Sequence, residues 1–424
     1  MSARPVNFPS PRARGEGQGE GPRRRASVLA CVLVALVPLA ACGTQPKPET
    51  LVDNLRVLAI TSDPPEIHPG DTAELGILEL DPSRPGGKTT VVWVGCDPDP
   101  FGLGRSACND TTALLQPTSF TDFPPGVRLL GFGPHAAYAV PKDLFGVLAP
   151  DDPLRENGVV GQILAVVIGE EVKPTSSNEE LRALFTRIEK QEVQSLMGLT
   201  RATVSERGAP NQNPVISGLA VDGATLPQGA TVLLQPGQEV KLELAAPAES
   251  RESYVLRLPS GDETRTEHLV VSWYSTGGRF TPARADLDTG SGNLYIAPGS
   301  TKVAEDPVPD KRQGSLWAVL RDNRGGQVWQ QFPFFVCDGS LPPPVVRNVQ
   351  LPAAMGEAVV VTGDAMSSAV DVLIGGVALP NGSWSPGRQA FLGDLPTLPA
   401  GTYPVTVRTK TCAELDTGLT VSLP

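Results

Sequence analysis

Leu269-Val270-Val271-Ser272-Trp273-Tyr274 and, further on, Gly314-Ser315-Leu316-Trp317-Ala318-Val319-Leu320-Arg321-Asp322-Asn323-Arg324-Gly325-Gly326 are the stretches that decide how this chain folds. In each, a tryptophan alternates with apolar neighbours, which places it in the core of a strand. The second closes in Asp-Asn-Arg-Gly-Gly, a polar, glycine-rich hairpin turn. Similar runs precede them at Leu55–Ile60, Ala73–Leu80, Thr89–Val94, Gly161–Ile168, Thr231–Leu234 and Val240–Leu244, and the first quoted stretch lies within the run His268–Tyr274. Many are β-branched, and Pro, Gly and Asp punctuate them. With 44 glycines and 43 prolines among 424 residues, long helices are excluded and many short strands are expected.

One segment differs. Ser177–Gly198 opens with Ser177 and Glu180 at capping-box spacing, followed by Leu181, Leu184, Phe185, Ile188 and Val193 at helical intervals. It reads as one amphipathic helix packed on a sheet. Two breaks divide the chain: Gly208-Ala209-Pro210-Asn211-Gln212-Asn213-Pro214, after which Val215–Val221 begins a new strand, and Ser340-Leu341-Pro342-Pro343-Pro344. The expected units are a β-rich domain over 51–210 carrying the helix at 177–198, a second over 213–338 and a third over 343–424.

The N-terminus reads as an address. Arg23, Arg24 and Arg25 precede an apolar run from Ala26 to Ala41, shorter than the roughly 20 residues a spanning helix needs. Basic, apolar and small-residue regions in that order describe an export signal over 1–41. Leu39-Ala40-Ala41-Cys42 resembles the bacterial lipobox. The resemblance implies cleavage before Cys42, diacylation of that cysteine, a short tether over 42–50, and, with Gly43 next, placement in the outer membrane with the exposed face left open. Without residues 1–41 the chain keeps 29 basic and 44 acidic residues, a net charge near -15. Such a surface repels anionic head groups, so the lipid and not a basic patch would hold the membrane. The acidity also excludes a general nucleic-acid binder.

The strand around Trp273, with Asn293-Leu294-Tyr295-Ile296-Ala297-Pro298 and the hairpin at 314–326, resembles the cysteine-free immunoglobulin-like modules of bacterial surface lipoproteins. Val359-Val360-Val361-Thr362-Gly363, the run Val370–Gly376 and Leu398-Pro399-Ala400-Gly401-Thr402-Tyr403-Pro404-Val405-Thr406-Val407 resemble an IPT/TIG module, also an immunoglobulin-like sandwich. The opening of the first domain, Leu58-Ala59-Ile60 to Pro69-Gly70-Asp71-Thr72, resembles the first strands of the same class. The order of parts is similar to multi-domain lipoproteins of myxobacteria, a likeness that carries no activity with it.

Of six cysteines, Cys31 leaves with the signal and Cys42 takes the lipid. Cys96, Cys108, Cys337 and Cys412 remain, an even number in an exported chain. Of three connectivities, Cys96–Cys108 with Cys337–Cys412 is expected. The first staples the loop after Thr89–Val94; the second ties the end of the second domain to the last hairpin of the third. With no CxxC and only His68, His135 and His268, zinc is not expected.

Leu287-Asp288-Thr289-Gly290-Ser291 resembles the pepsin-like protease signature, and Asp416-Thr417-Gly418 offers a second aspartate. That chemistry needs two carboxylates about 3 Å apart sharing a proton. Only six residues follow Gly418, too few for a second catalytic lobe, so a turn is expected at Asp288. An EF-hand is excluded because Ala297 stands where its glutamate belongs, leaving a looser calcium site among Asp97, Asp99, Asp286, Asp288 and Asp322 as a candidate. Asp322–Gly326 lacks the lysine of a phosphate loop. Among the tryptophans, Trp329 and Trp384 sit in polar, turn-rich surroundings and are the candidate ligand contacts, for a sugar. The sequence thus implies an all-β protein of three serial immunoglobulin-like β-sandwich domains with one amphipathic helix in the first. No catalytic residue, metal or cofactor is expected. The expected partners are the membrane, through the N-terminal lipid, and an envelope protein or glycan.

Overall fold

The computed structural model describes residues 47–101, 126–290, 292–301, 306–354 and 356–424. The first sandwich holds β1 (Arg56–Asp63), β2 (Glu66–Ile67), β3 (Thr72–Leu80), β4 (Thr90–Cys96), β5 (Val127–Phe132), β6 (His135–Ala139), β7 (Val159–Ile168) and β8 (Ser195–Val204). Sheet β1-β3-β6 faces sheet β2-β8-β7-β4-β5. The second sandwich holds β9 (Gly218–Val221), β10 (Ala224–Thr225), β11 (Val232–Leu234), β12 (Glu239–Ala245), β13 (Ser253–Leu256), β14 (Glu263–Thr266), β15 (Val270–Ser275), β16 (Arg279–Thr281), β17 (Arg284–Asp286), β18 (Asn293–Ile296), β19 (Gln313–Arg321) and β20 (Gln327–Val336). Here β10-β9-β12-β18-β16 faces β11-β20-β19-β15-β17, and β13-β14 forms a separate ribbon. The third holds β21 (Val345–Gln350), β22 (Val359–Asp364), β23 (Ala369–Ile374), β24 (Val377–Ala378), β25 (Ser383–Ser385), β26 (Ala390–Gly393), β27 (Gly401–Thr409) and β28 (Glu414–Leu423), with β21-β22-β26-β25 facing β24-β23-β27-β28.

These orders define the class. In each sandwich the first two long strands pair on one sheet (β1-β3, β9-β12, β21-β22), while on the other a third strand pairs with the last two (β4-β7-β8, β15-β19-β20, β23-β27-β28), the arrangement of the immunoglobulin fold. In the first two, a short strand additionally runs parallel to the last one: β2 along β8 and β11 along β20. The third-strand tryptophan of that fold occurs twice. Trp93 in β4 is fully buried and donates from Nε1 to the Gly133 carbonyl at 2.8 Å. Trp273 in β15 donates to Asn293 Oδ1 at 2.9 Å and stacks on Phe280 at 5.1 Å. Trp273 is marked as core by its own strand pattern, whereas Trp93 lies in the apolar run Thr89–Val94 and takes this role only in the folded sandwich.

Local chemistry explains several elements. All seven residues of β4 are buried, which is why its sequence is a continuous apolar run instead of an alternation. Val91 and Trp93 face the sandwich core, while Val92 packs outward with Ile168, Leu184 and Val193 beneath a helix. That helix is α2; a short α1 (Pro153–Asn157), capped by Asp152, precedes it. In α2 (Asn178–Glu189) the expected capping box is present: the Glu180 amide donates to Ser177 Oγ at 3.2 Å, and the Ser177 amide to the Glu180 carboxylate at 2.7 Å. The expected helix over 177–198 is too long. It ends at Glu189, Gln191 turns the chain at φ 60°, and Ser195 begins β8. Val193 continued the helical spacing by coincidence, since the same cluster buries it from a different backbone. The run Val370–Gly376 ends as a strand at Ile374: Gly375 and Gly376 form a two-residue turn between β23 and β24 with φ 61° and 80°, a hairpin that side-chain-bearing residues resist.

Candidate functional site at the junctions between sandwiches

The residues held with the most polar contacts lie where sandwiches meet. Glu66, on the two-residue β2 of the first sandwich, is 2% exposed. It accepts from Ser205 Oγ at 2.5 Å and from the Asn211 amide at 2.7 Å. Arg324, from the turn between β19 and β20 of the second sandwich, donates to the same carboxylate, and Arg207 lies 3.4 Å away. Arg324 also reaches Glu267 at 3.1 Å and Glu252 at 3.4 Å, and its guanidinium stacks 4.6 Å from the Tyr254 ring centre. The Asp-Asn-Arg-Gly-Gly turn gives it this position: Asp322 accepts from the amides of Arg324 at 2.7 Å and Gly326 at 2.8 Å, and Gly325 adopts φ 109°. The expected hairpin is therefore present, and its arginine is the hub of a junction.

Burial sets the electrostatics. It pushes the Glu267 carboxyl up to about 7, with Asp322 and Glu252 adding to the rise and the Glu252 amide and Arg324 opposing it. It also raises Glu252 against the pull of Arg324, and raises Asp322 against the amides that donate to it. The cluster thus holds more carboxylates than a fully charged state would tolerate without its arginines.

Beside it lies an apolar patch in which Trp317 and Val319 of β19 pack on Val52, Leu58, Ala59 and Leu78 of the first sandwich. Trp317 is buried as expected, but against the neighbouring sandwich and not in its own core. Arg321 donates to the Leu58 carbonyl at 3.0 Å and to Ser272 Oγ at 3.1 Å. A groove of about 470 Å³ opens here, lined by Val57, Met197, Leu199, Arg201, Tyr274 and Arg321 among others. Met197 and Leu199 are 44% and 54% exposed.

The second junction is covalent. Cys337 and Cys412 are disulfide-bonded, the pairing expected for them. Around the bond, Asp371 accepts from the Thr231 amide at 2.9 Å and Oγ1 at 2.8 Å and pairs with Arg408 at 3.1 Å. Ala230 packs on Leu373 and Ala378, and the Asp338 amide donates to the Lys410 carbonyl at 2.7 Å. Cys96 is fully buried at the end of β4; its expected partner Cys108 and the expected lipid-bearing Cys42 lie outside the described residues.

The remaining site expectations are not brought together. Trp329 is 39% exposed on β20, mid-strand and not in a turn, facing outward with Gln327 and Gln331. Trp384 is on β25 of the third sandwich, packed against that core. Asp288 forms an ion pair with Arg251 at 2.5 Å and lies 3.2 Å from His268 Nδ1 in the second sandwich. Asp416 is in β28 of the third, opposite Thr406, so no aspartate dyad forms. Of the calcium candidates, only Asp286 and Asp288 come together, with His268, their ligand atoms within 4.8 Å; Arg251 already answers Asp288. Asp97 lies 3.4 Å from Arg128, and Asp322 is committed to its turn. Among the described residues no helix is long and apolar enough to cross a membrane. The sequence reading missed Glu66, Glu267 and Arg324 because they assemble across 258 and 57 residues of chain.

No family model and no curated protein matches the chain. Among solved structures it is similar to SGBP-B of the Bacteroides ovatus mixed-linkage glucan utilization locus, in complex with a mixed-linkage heptasaccharide, at 13% identity over 88% of this chain and 70% of that one, with a TM-score of 0.15. It is also similar to the Ig1-2 module of the Drosophila receptor protein tyrosine phosphatase DLAR, at 12% identity over 67% and 100% with a TM-score of 0.19. The three N-terminal domains of the bacteriophage RB49 outer capsid protein Hoc match at 10% identity over 87% and 95%, with a TM-score of 0.17. With TM-scores this low, the immunoglobulin-like class stands on strand order and not on these likenesses.

Proposed function

We propose that this chain is a lipid-anchored, non-catalytic scaffold of the bacterial cell envelope that holds recognition surfaces in a set arrangement. The observation that supports this reading is the construction of the junctions. One is an arginine–carboxylate cluster beside an apolar patch; the other is a disulfide flanked by the Asp371–Arg408 pair. Sandwiches joined in this way resist articulation, a property that suits a support more than a hinged catalyst. The lipobox supports anchoring through Cys42 and an outer-membrane address, and the acidic surface supports dependence on the lipid. Fractionation of cells carrying Cys42→Ala tests the anchor: the variant is expected in the soluble fraction, and retention in membranes overturns it. Protease digestion of intact against permeabilised cells, followed through the third sandwich, assigns the face.

A second reading, carbohydrate binding, draws on Trp329, an exposed indole flanked on its sheet face by two glutamines, the combination that stacks and hydrogen-bonds a sugar. Glycan binding lost in Trp329→Ala supports it; binding unchanged in that variant removes it. Trp384, packed on its core, is the weaker of the two candidates.

A further inference from the structure

Strand β8 has an unused edge. Its ladder with β7 runs the full length from Ser195 to Val204, whereas β2 covers the other side only at Thr203 and Val204. The Thr203 amide donates to the Pro65 carbonyl and the Ser205 amide to the Ile67 carbonyl, so the odd-numbered backbone groups of this strand point away from β7. By the alternation of an antiparallel ladder, the N–H groups of Met197, Leu199 and Arg201 point the same way. Among the described residues nothing accepts from them. This edge forms one wall of the groove of about 470 Å³, whose far side is Val57 to Ile60 of β1 and whose end is the turn at Gly325 and Gly326.

The side chains beside that edge say what would fit. Met197 and Leu199 present apolar surface, 44% and 54% exposed, on one face of the strand. Arg201 follows on the same face and has no acidic partner among the described residues, in a chain whose net charge is -11. Arg321, also in the groove, is already spent on Leu58, Ser272 and Gln327. Arg201 is therefore the cation left to complement a ligand.

We propose that the open edge at Met197–Arg201 binds an extended peptide segment by strand addition, continuing the row that β2 begins. The guest is apolar at alternate positions and carries a carboxylate that meets Arg201. Main-chain hydrogen bonds to Met197 and Leu199 supply affinity, and the side-chain pattern supplies selectivity, as in other cases of β-augmentation. This goes beyond the anchored-scaffold reading and stands without it, because it concerns only what one groove accepts.

The test pans random peptides of about nine residues, enough to cover the ~17 Å edge at ~3.4 Å per residue, on the full-length chain in detergent. Leu199→Pro deletes one outward N–H and leaves the β7 ladder untouched, a position where an edge strand tolerates proline. The expected result is enrichment of alternating apolar peptides with an acidic residue. They should bind Leu199→Pro and Arg201→Glu at least tenfold more weakly, with the variants' unfolding midpoints unchanged. N-methylating the peptide at alternate amides should abolish binding in one register and spare it in the other. That measurement needs only the wild-type protein, so it decides the matter even if a variant fails to fold. Absence of enriched peptides, equal binding to Leu199→Pro, or indifference to N-methylation in both registers overturns the proposal. Release of Cys42→Ala from membranes is read separately, so failure of either idea leaves the other standing.

Discussion

Arg324→Ala is the sharpest perturbation of the molecule. It removes the cation that touches Glu66, Glu267 and Glu252 together and covers the Tyr254 ring. The Glu66 and Glu267 side chains are only 2% and 1% exposed, so water cannot replace the guanidinium. Breaking a buried pair by deleting one partner costs about 3–5 kcal/mol, and the lost ring contact adds about 1. We expect a loss of about 4–6 kcal/mol near pH 8. The penalty should shrink near pH 5, where Glu267, whose carboxyl sits near 7, accepts a proton and needs the arginine less. Urea unfolding followed by tryptophan fluorescence is the assay, since Trp317 reports the junction and Trp93 and Trp273 the two cores. The first two sandwiches should unfold in one transition in the wild type and in two in the variant, each with a smaller m-value. Arg324→Lys should recover part of the loss, because an ammonium keeps the charge and not the fork. A loss below about 1 kcal/mol near pH 8, or a larger loss near pH 5 than near pH 8, refutes the reasoning.

Glu267→Gln should reshape the pH dependence. A carboxyl raised from 4.5 to about 7 on folding binds more protons in the folded state, so its contribution is full below about 4.5 and fades as pH rises through 7. At ~1.4 kcal/mol per pKa unit this is worth at most about 3 kcal/mol; unfolding measured from about pH 4.5 to 8 should show a flatter profile in the variant, and an unchanged slope contradicts the assignment. Cys412→Ser opens a loop closed across 75 residues and should lower the stability of the third sandwich by up to about 4.5 kcal/mol in calorimetry, with wild-type behaviour excluding a stabilising role. Ser177→Ala removes half of the capping box of α2 and should cost about 1 kcal/mol, read as faster amide exchange over Asn178–Leu181; exchange at the wild-type rate there counts against the cap.

Some of this was legible in one dimension. The alternation around Trp273, the Asp-Asn-Arg-Gly-Gly turn and the Ser177–Glu180 cap are each decided within a few residues, because strand period, turn geometry and capping are local physics. Sandwich class follows from many such elements in series. The end of α2 was not legible, since a helical interval at Val193 and a strand beginning at Ser195 differ only in which surface buries them. The same holds for Trp317, whose sequence pattern marks it as buried without saying against which sandwich.

By itself, then, the sequence determined the strands, the turns, the capped helix and the order of three sandwiches, because hydrophobic period and turn chemistry act over a handful of neighbouring residues. The tertiary structure alone decided that Arg324 meets Glu66 across 258 residues, that β2 stops short and leaves an edge open on β8, and that Asp288 answers Arg251 instead of Asp416. Those outcomes depend on which sandwich face docks on which. Docking is governed by burial and by the pairing of charges removed from water, and neither is written in the spacing of any one segment.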